Sequence, residues 1–120
     1  MHRYKSLVVW QRSHELVLLV LRTTDAAYHP RFRALFDQLR RAALSIEANI
    51  VEGYALSTTP QFRRHLRIAI GSAAETECFL RTAGELDYLP RQLLEEMLRL
   101  TDGVLRALFG LVRKLGEPTR

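Results

Sequence analysis

Cysteine pairs, long apolar runs and a signal-like N-terminus are all missing from this chain. The single cysteine, Cys78, has no partner for an internal disulfide, which is typical of proteins from a reducing compartment. The longest apolar run covers residues 16–21, far short of the roughly 20 residues that span a bilayer. Residues 1–5 carry charge, but neither an apolar run nor a small-residue cleavage site follows them. We therefore expect a soluble, cytoplasmic protein without a membrane partner.

The sequence also lacks the patterns that accompany sheets, nucleotide loops and metal sites. No segment alternates apolar and polar residues around a turn dipeptide such as Asn-Gly, so a β-sheet is not expected. The six glycines form no glycine-rich loop that could hold a nucleotide phosphate. The four histidines fall on different predicted elements and have no second ligand at metal-binding spacing. We expect no cofactor, no metal and no catalytic residue.

The composition is that of a folded domain whose basic excess lies in its first half. The chain has 120 residues, of which 48% are hydrophobic and 26% charged. A chain of this size buries roughly two-thirds of its unfolded surface in one core, so we expect a single domain over residues 1–120. Residues 1–70 contain eleven Lys or Arg and five acids, whereas residues 71–120 contain seven and eight. The formal charge of +5 therefore originates in residues 1–70.

Two amphipathic segments in the first half predict helices one and two. Ser6 is a candidate cap for helix one, which is expected to continue to about Ala27. Pro30 interrupts the chain, and helix two follows it and is expected to stop near Gly53. The expected apolar stripes are Leu7, Trp10, His14, Val17 and Leu21 in helix one, and Leu35, Leu39, Ala42, Ile46 and Ile50 in helix two.

Two further amphipathic segments predict helices three and four. Residues 57–61 combine a threonine cap at Thr58 with a proline and a glutamine in the first turn, and helix three should end near Glu85. Residues 86–90 form a short connection to helix four. Four helices joined by short loops predict an all-α, antiparallel, up-down-up-down four-helix bundle. The expected stripes are Phe62, Leu66, Ala69, Ile70, Ala73, Leu80 and Ala83 in helix three, and Leu94, Met97, Thr101, Val104, Leu108, Leu111 and Leu115 in helix four.

Helices one and four carry more apolar surface than one bundle core can cover. Residues 16–21 are apolar around the whole circumference of helix one. A helix that is apolar on all sides is normally buried on more than one side, so we expect a homo-oligomer. The alternative is a wide stripe with some exposed leucines, which are common on soluble proteins. The apolar residues off the main stripe of helix four are Leu93, Leu100, Ala107 and Phe109.

Trp10, Asn49 and Glu52 are candidates for structural or interface roles. Trp10 lies on the expected stripe of helix one and should be largely buried. Asn49 is a poor mid-helix residue one turn before Glu52, where a polar contact to another helix could fix the register. His14 is expected to be a packed residue with one hydrogen bond.

Arginines are the residues best suited to a ligand. They make up sixteen of the eighteen basic residues, and the planar guanidinium matches phosphate well. In the second half they follow acids by four residues, which predicts the pairs Glu77 with Arg81, Glu95 with Arg99, and Asp102 with Arg106. Five arginines of the first half lack such an acid or share Asp37, and these are the expected nucleic-acid-binding residues: Arg40, Arg41, Arg63, Arg64 and Arg67.

This arginine cluster has no aromatic residues interleaved with it, so we expect contacts to phosphate rather than stacking on bases. Two alternatives require no ligand. An arginine excess can reflect genomic base composition, and a charged helix face is most often simply solvated.

Several segments resemble one known family over nearly the whole chain. Residues 4–16 look like its opening motif, and residues 38–53 resemble its most distinctive stretch, from Arg-Arg-Ala-Ala to Glu-Gly. Residues 62–77 and 86–89 are similar to its third helix and following turn. The family comprises the four-helix bundle proteins encoded by intervening sequences within bacterial 23S ribosomal RNA genes. It usually has proline after the Ser-Ile pair, where this chain has Glu47.

The resemblance implies an antiparallel four-helix bundle that assembles into a ring-like homopentamer, and it implies no enzyme activity. A similar fold occurs in the accessory protein of diversity-generating retroelements, which works with nucleic acid and a reverse transcriptase. We therefore expect a non-enzymatic homo-oligomer whose arginines contact RNA or DNA. One alternative is a scaffold that binds only a partner protein. Another is an enzyme with an inter-subunit site around Asn49, Glu52, Glu75 and Glu77.

Overall fold

Four α-helices joined by short connections form the structure, a computed structural model that describes residues 3–56 and 58–116. Those residues contain no strand, which confirms the predicted all-α class. Short 3-10 turns at Arg3–Ser6 and Pro30–Phe32 precede the first two helices. None of the described helices is both long and apolar enough to cross a membrane. The helices are α1 (Val8–Ala26), α2 (Arg33–Ala55), α3 (Thr59–Glu85) and α4 (Arg91–Lys114).

Contacts between the helices have the predicted antiparallel order. Ser45 Oγ of α2 lies 2.8 Å from Ser72 Oγ of α3, whereas Asn49 Oδ1, further along α2, lies 3.0 Å from Nδ1 of the earlier residue His65. Each helix therefore runs against the next, and α4 returns to α1, as in an up-down-up-down bundle. The corresponding contacts elsewhere join Arg40 to Asp25, Arg63 to Leu115, and Arg12 to Gly103.

The two predicted helix caps have different outcomes. Thr58 is the cap of α3, because its Oγ1 accepts a hydrogen bond from the backbone N–H of Gln61 at 3.4 Å. Ser6 is not the cap of α1, and its hydroxyl instead donates to the Arg3 carbonyl within the 3-10 turn. Leu7 occupies the cap position without a side-chain hydrogen bond. Ser57, which belongs to the predicted capping segment, lies outside the described residues.

The predicted stripe of helix one has the wrong phase. The residues that α1 buries in the core include Val9, Leu16 and Val20, which lie beside the predicted set rather than on it. Residues 16–21 are apolar at every position, so periodicity alone could not choose between two apolar faces. Of the predicted stripe only Val17 is buried, and the half-buried members are Leu7, Trp10, His14 and Leu21.

Trp10 is consequently half-buried at the edge between α1 and α2. Its ring stacks on His14 with centroids 4.6 Å apart, and Tyr4 meets it edge-on at 5.3 Å. His14 Nδ1 lies 3.2 Å from a Glu47 carboxylate oxygen, which confirms the expected hydrogen bond. Glu47, at the position where the family usually has proline, therefore joins α2 to α1, and α2 continues through this position without a break.

The other three stripes are confirmed in phase. Most of their predicted residues are buried, and Leu35, Phe62, Ile70, Leu94, Leu111 and Leu115 are half-buried. Buried hydroxyls among them are satisfied locally, since Thr76 and Thr101 donate to carbonyls one turn earlier. The largest fully buried side chains are Phe36, Leu16, Leu39, Ile46, Ile50, Leu66, Leu80, Met97 and Leu108.

The predicted end of helix two near Gly53 is confirmed, since α2 ends two residues later at Ala55, but Gly53 itself is helical and buried in the last turn. A Cβ at this position would lie 2.6 Å from His65 Cβ and 3.2 Å from Phe62 Cδ1. Glycine is therefore required by the close approach of α3, and not by a change in backbone direction.

Gly53→Ala and Gly71→Ala should change the free energy of unfolding in opposite directions. The added methyl at position 53 meets His65, whereas a Cβ at Gly71 of α3 has no atom within 4 Å. We expect Gly53→Ala to destabilise by more than about 1 kcal/mol and Gly71→Ala to stabilise by about 0.5–1 kcal/mol. Urea denaturation followed by circular dichroism measures both values. Equal effects at the two positions would contradict the close helix contact.

Candidate nucleic-acid interface

The five predicted arginines fall into two groups that the fold keeps apart. Arg40 and Arg41 lie in the first half of α2, whereas Arg63, Arg64 and Arg67 lie in the first three turns of α3. The α2–α3 pairing aligns the first turns of α3 with the end of α2, about ten residues beyond Arg41. At 1.5 Å rise per residue, the groups are separated by roughly 15 Å along the bundle.

Arg40 is held inside the fold. Its Nε donates to Thr24 Oγ1 at 2.9 Å, and its Nη2 lies 3.1 Å from a carboxylate oxygen of Asp25. Its Nη1 lies 3.7 Å from a carboxylate oxygen of Asp37. With only 23% of its side chain exposed, Arg40 joins α2 to the end of α1. Arg41, the next residue, is exposed.

Arg63 makes a contact within the fold that partly buries its side chain. Its Nη1 donates to the carbonyl oxygen of Leu115 at 3.1 Å, which satisfies one of the acceptors left open at the end of α4. The side chain is half-buried as a result. Arg64 and Arg67 are exposed on α3.

Basic residues from three helices gather at one end of the bundle. The Arg63 contact joins the start of α3 to the end of α4. A groove whose lining includes residues 6–9 of the α1 start and Ala107, Leu111 and Lys114 of α4 joins the start of α1 to the same place. The segments 3–10, 50–56, 58–68 and 108–116 contain one acid, Glu52. The seven basic residues in those segments, here named the basic end, are Arg3, Lys5, Arg63, Arg64, Arg67, Arg113 and Lys114.

Helix dipoles affect the two sides of the basic end differently. Arg113 and Lys114 lie in the last turn of α4, where positive charge is favourable. The first turn of α3 contains no acid, and Arg63 and Arg64 follow directly, close to the positive end of that helix. The arginines of α3 are therefore placed where an anion, rather than a cation, is stabilised by the helix.

Arginines on α4 and late α3 are neutralised by nearby acids. The predicted pairs of Arg81 with Glu77 and of Arg106 with Asp102 are confirmed, with N–O distances of 3.0 and 3.1 Å. The predicted pair of Arg99 with Glu95 is wrong, because Arg99 binds Glu96, the residue after Glu95. That guanidinium holds the pKa of Glu96 below its ordinary value through their hydrogen bond. Glu95 instead lies 3.7 Å from Arg91.

An aromatic pocket also opens at the end where α2 meets α3. Its volume is about 320 Å³, and its walls include the rings of Tyr54 and Phe62, packed edge to face with centroids 5.8 Å apart. The predicted absence of interleaved aromatics therefore needs correction, since Phe62 directly precedes Arg63. The position of Phe62 beside the arginines is visible in the sequence, but Tyr54 is brought next to Phe62 only by helix packing. The remaining lining residues are Gly53, Thr58 and Thr59.

Asn49 lies in a polar network between α2 and α3. Its Nδ2 donates to the Ser45 carbonyl at 2.9 Å, so its Oδ1 is the atom that accepts from His65 Nδ1 at 3.0 Å. Sequence reasoning missed His65, which is 7% exposed. Glu52, one turn after Asn49, is exposed. Within residues 3–56 and 58–116, no group of three His, Cys, Asp or Glu side chains could hold a metal ion.

Asn49→Ala should destabilise the bundle, whereas Glu52→Ala should not. Removing the Asn49 amide leaves the buried Nδ1 of His65 without its acceptor, which costs about 1–3 kcal/mol. Glu52 is an exposed position on the same helix, and its replacement should change the free energy of unfolding by less than about 0.5 kcal/mol. Chemical denaturation of both variants provides the measurement. A loss below 0.5 kcal/mol for Asn49→Ala would mean that the network does not stabilise the α2–α3 contact.

Comparison with known proteins identifies a similar fold and a family for this chain. A crystal structure of a protein of unknown function from the S23 ribosomal protein family of Bacteroides thetaiotaomicron has a similar fold, with a TM-score of 0.81 and 23% sequence identity. The similarity covers 88% of this chain and 96% of that chain. No curated protein matches this sequence. The family described as 23S rRNA-intervening sequence protein matches residues 5–110, so this chain belongs to the 23S rRNA-intervening sequence protein family.

Proposed function

We propose that this chain is a non-enzymatic homo-oligomer that binds the phosphate backbone of RNA or DNA at its basic end. The observation that carries this proposal is the gathering of seven basic residues, with one acid in the described segments, where α1 begins, α3 begins and α4 ends. This charge exceeds the formal +5 of the whole chain, so the remaining surface is close to neutral. Such asymmetry favours an extended anion over a small neutral ligand.

The arginines of the basic end are suited to phosphate by chemistry and by position. Arg64 and Arg67 are exposed near the start of α3, where backbone dipoles also attract anions. Arg63 retains further guanidinium N–H donors beyond the Nη1 group that binds Leu115. Arg41 supplies charge farther along the bundle, whereas Arg40 serves the fold through Thr24 and Asp25. Backbone binding therefore depends on the basic end rather than on the α2 arginines.

The double variant Arg64→Gln, Lys114→Gln should weaken binding to a single-stranded RNA and flatten its salt dependence. Each lost phosphate contact reduces the slope of log K against log salt by about 0.7 for a single strand, or about 0.9 for a duplex. The control is Arg99→Gln, Arg106→Gln, which removes the same charge from ion-paired positions on α4. We expect the control to keep nearly the native slope. Fluorescence anisotropy at several salt concentrations measures both.

Two results would contradict this proposal. Equal loss of slope in the two double variants would mean that net charge, and not the basic end, determines binding. Absence of binding to RNA and DNA at low salt, where screening is weakest, would reject nucleic-acid binding altogether. A scaffold that binds only a partner protein would then be the better interpretation.

Exposed apolar side chains support the oligomer. On α4, Leu93 and Phe109 are 37% and 49% exposed in the single subunit, whereas residues 16–21 of α1 are each buried or half-buried within it. Leu100 is buried against the subunit's own core and does not contribute to this excess. Burying the exposed apolar area against further copies would stabilise a closed assembly. The pentamer implied by the family resemblance is the assembly that we propose.

Light scattering at micromolar concentration should give a mass near five times 13.9 kDa. Phe109→Glu should lower that mass without unfolding the subunit, because Phe109 is 49% exposed in the single subunit and a charge there is costly only when another copy buries it. Gln38→Glu, which adds the same charge at an exposed position of α2, is the control. A native mass of 13.9 kDa would reject the oligomer, and a dimer or tetramer would reject the pentamer alone.

A further inference from the structure

We propose that the pocket lined by Tyr54 and Phe62 receives an unpaired base of a single-stranded nucleic acid whose phosphates contact the basic end. This inference rests on the proposed function and makes it more specific. Contacts to backbone charge alone would favour a duplex over a single strand, because the duplex has the higher charge density. An aromatic pocket for a base favours the single strand, because a base in a duplex must first leave its pair and its stack.

The pocket has the size and the walls that a base requires. Its volume of about 320 Å³ is within the range of small-molecule sites, and it lies open at the end of the bundle. Tyr54 and Phe62 are both half-buried, so part of each ring remains accessible while the rest is fixed by packing. Their edge-to-face arrangement, with an interplanar angle of 70°, gives the pocket two aromatic surfaces at different orientations. A flat π system can stack on one ring and contact the edge of the other.

Hydroxyl groups at the pocket can bind the edge of a base without selecting one base. Thr58 and Thr59 line the pocket and are exposed. Thr58 Oγ1 accepts from the Gln61 N–H and keeps its own hydrogen free to donate. A hydroxyl can serve as donor or acceptor, so these groups accommodate the edges of different bases. We therefore expect weak sequence preference.

Positive charge begins immediately beside the pocket. Phe62 is followed by Arg63 and Arg64, whose Cα atoms lie within about 4 to 7 Å of its own. Arg3 and Lys5 lie in the 3-10 turn that packs against α2. A nucleotide with its base stacked against one of these rings would have its phosphate near these cations. An apolar side chain from a partner protein would use the rings but not the surrounding charge, so the nucleotide is the better occupant.

The decisive experiment compares three labelled probes of equal length with the full chain. They are a 12-nucleotide oligouridine, a 12-residue abasic sugar-phosphate strand, and a 12-base-pair RNA duplex, all at one low salt concentration. We expect the abasic strand to bind about tenfold more weakly than oligouridine, which corresponds to one base–aromatic stack. The duplex should bind no more tightly than oligouridine despite its greater charge. This comparison requires no variant and is therefore independent of folding defects.

Variants at Tyr54 test the pocket directly. Tyr54→Leu should weaken oligouridine binding by about tenfold and leave the abasic strand unaffected, whereas Tyr54→Phe should keep native affinity because it retains the ring. Tyr28→Leu is the matched control, since Tyr28 is 46% exposed at the opposite end of the bundle. Circular dichroism establishes that each variant is folded.

Each outcome separates this inference from the proposed function. Equal affinity for oligouridine and the abasic strand, with Tyr54→Leu unchanged, would overturn the base pocket and leave backbone binding intact. Tighter binding of the duplex than of oligouridine would also overturn the base pocket and leave backbone binding intact. Failure of all three probes to bind would overturn the pocket and the proposed function together.

Discussion

The missing side chain at Gly53 lets α3 approach α2 so closely that His65 and Phe62 occupy the space of a Cβ. From this contact the pairing of the two helices continues to Asn49 and His65, and then to the two serines farther along. A shift of one residue in this register would separate the Asn49 amide from the imidazole and bury both without partners. Steric fit and polar pairing therefore impose the same register, and the positions of the other helix ends follow from it.

One consequence of that register is where charge accumulates. The first turns of α3 are brought to the end of α4, where Arg63 binds the Leu115 carbonyl, and the remaining arginines are directed outward. Elsewhere, acids spaced three or four residues away neutralise their arginines along the same helix. Local pairing thus neutralises several arginines on the sides of the bundle, and helix packing brings seven basic residues together at one end. The same packing puts an aromatic pocket beside that charge.

The outer side of α1 connects the fold to the proposed assembly. One apolar face of this helix fills the bundle core through Leu16 and Val20, and a second one includes the half-buried Trp10 and Leu18. Two apolar faces on one helix are stable only if something covers the second as well. A closed oligomer would cover it with identical copies and leave the basic end of every subunit on the same side of a ring. Repetition of that end would multiply phosphate contacts along one strand.

The sequence by itself determined the four helices, the cap at Thr58 and the end of α3, because these depend on residues a few positions apart. It also determined the pairs of Arg81 and Arg106, whose acids lie one turn away on the same helix. Only the tertiary structure decided the face of α1 that enters the core, since apolar residues surround that helix at residues 16–21.

The same limit applies to the candidate interface. Arg40 and Arg64 each stand beside another arginine in the sequence, yet Arg40 is tied to Thr24 of another helix and Arg64 is exposed. His65 and Tyr54 acquire their contacts from residues on the neighbouring helix, and no spacing along one helix encodes such a contact. Local periodicity determines secondary structure and its short-range ion pairs, whereas burial and the grouping of distant residues depend on how the helices pack.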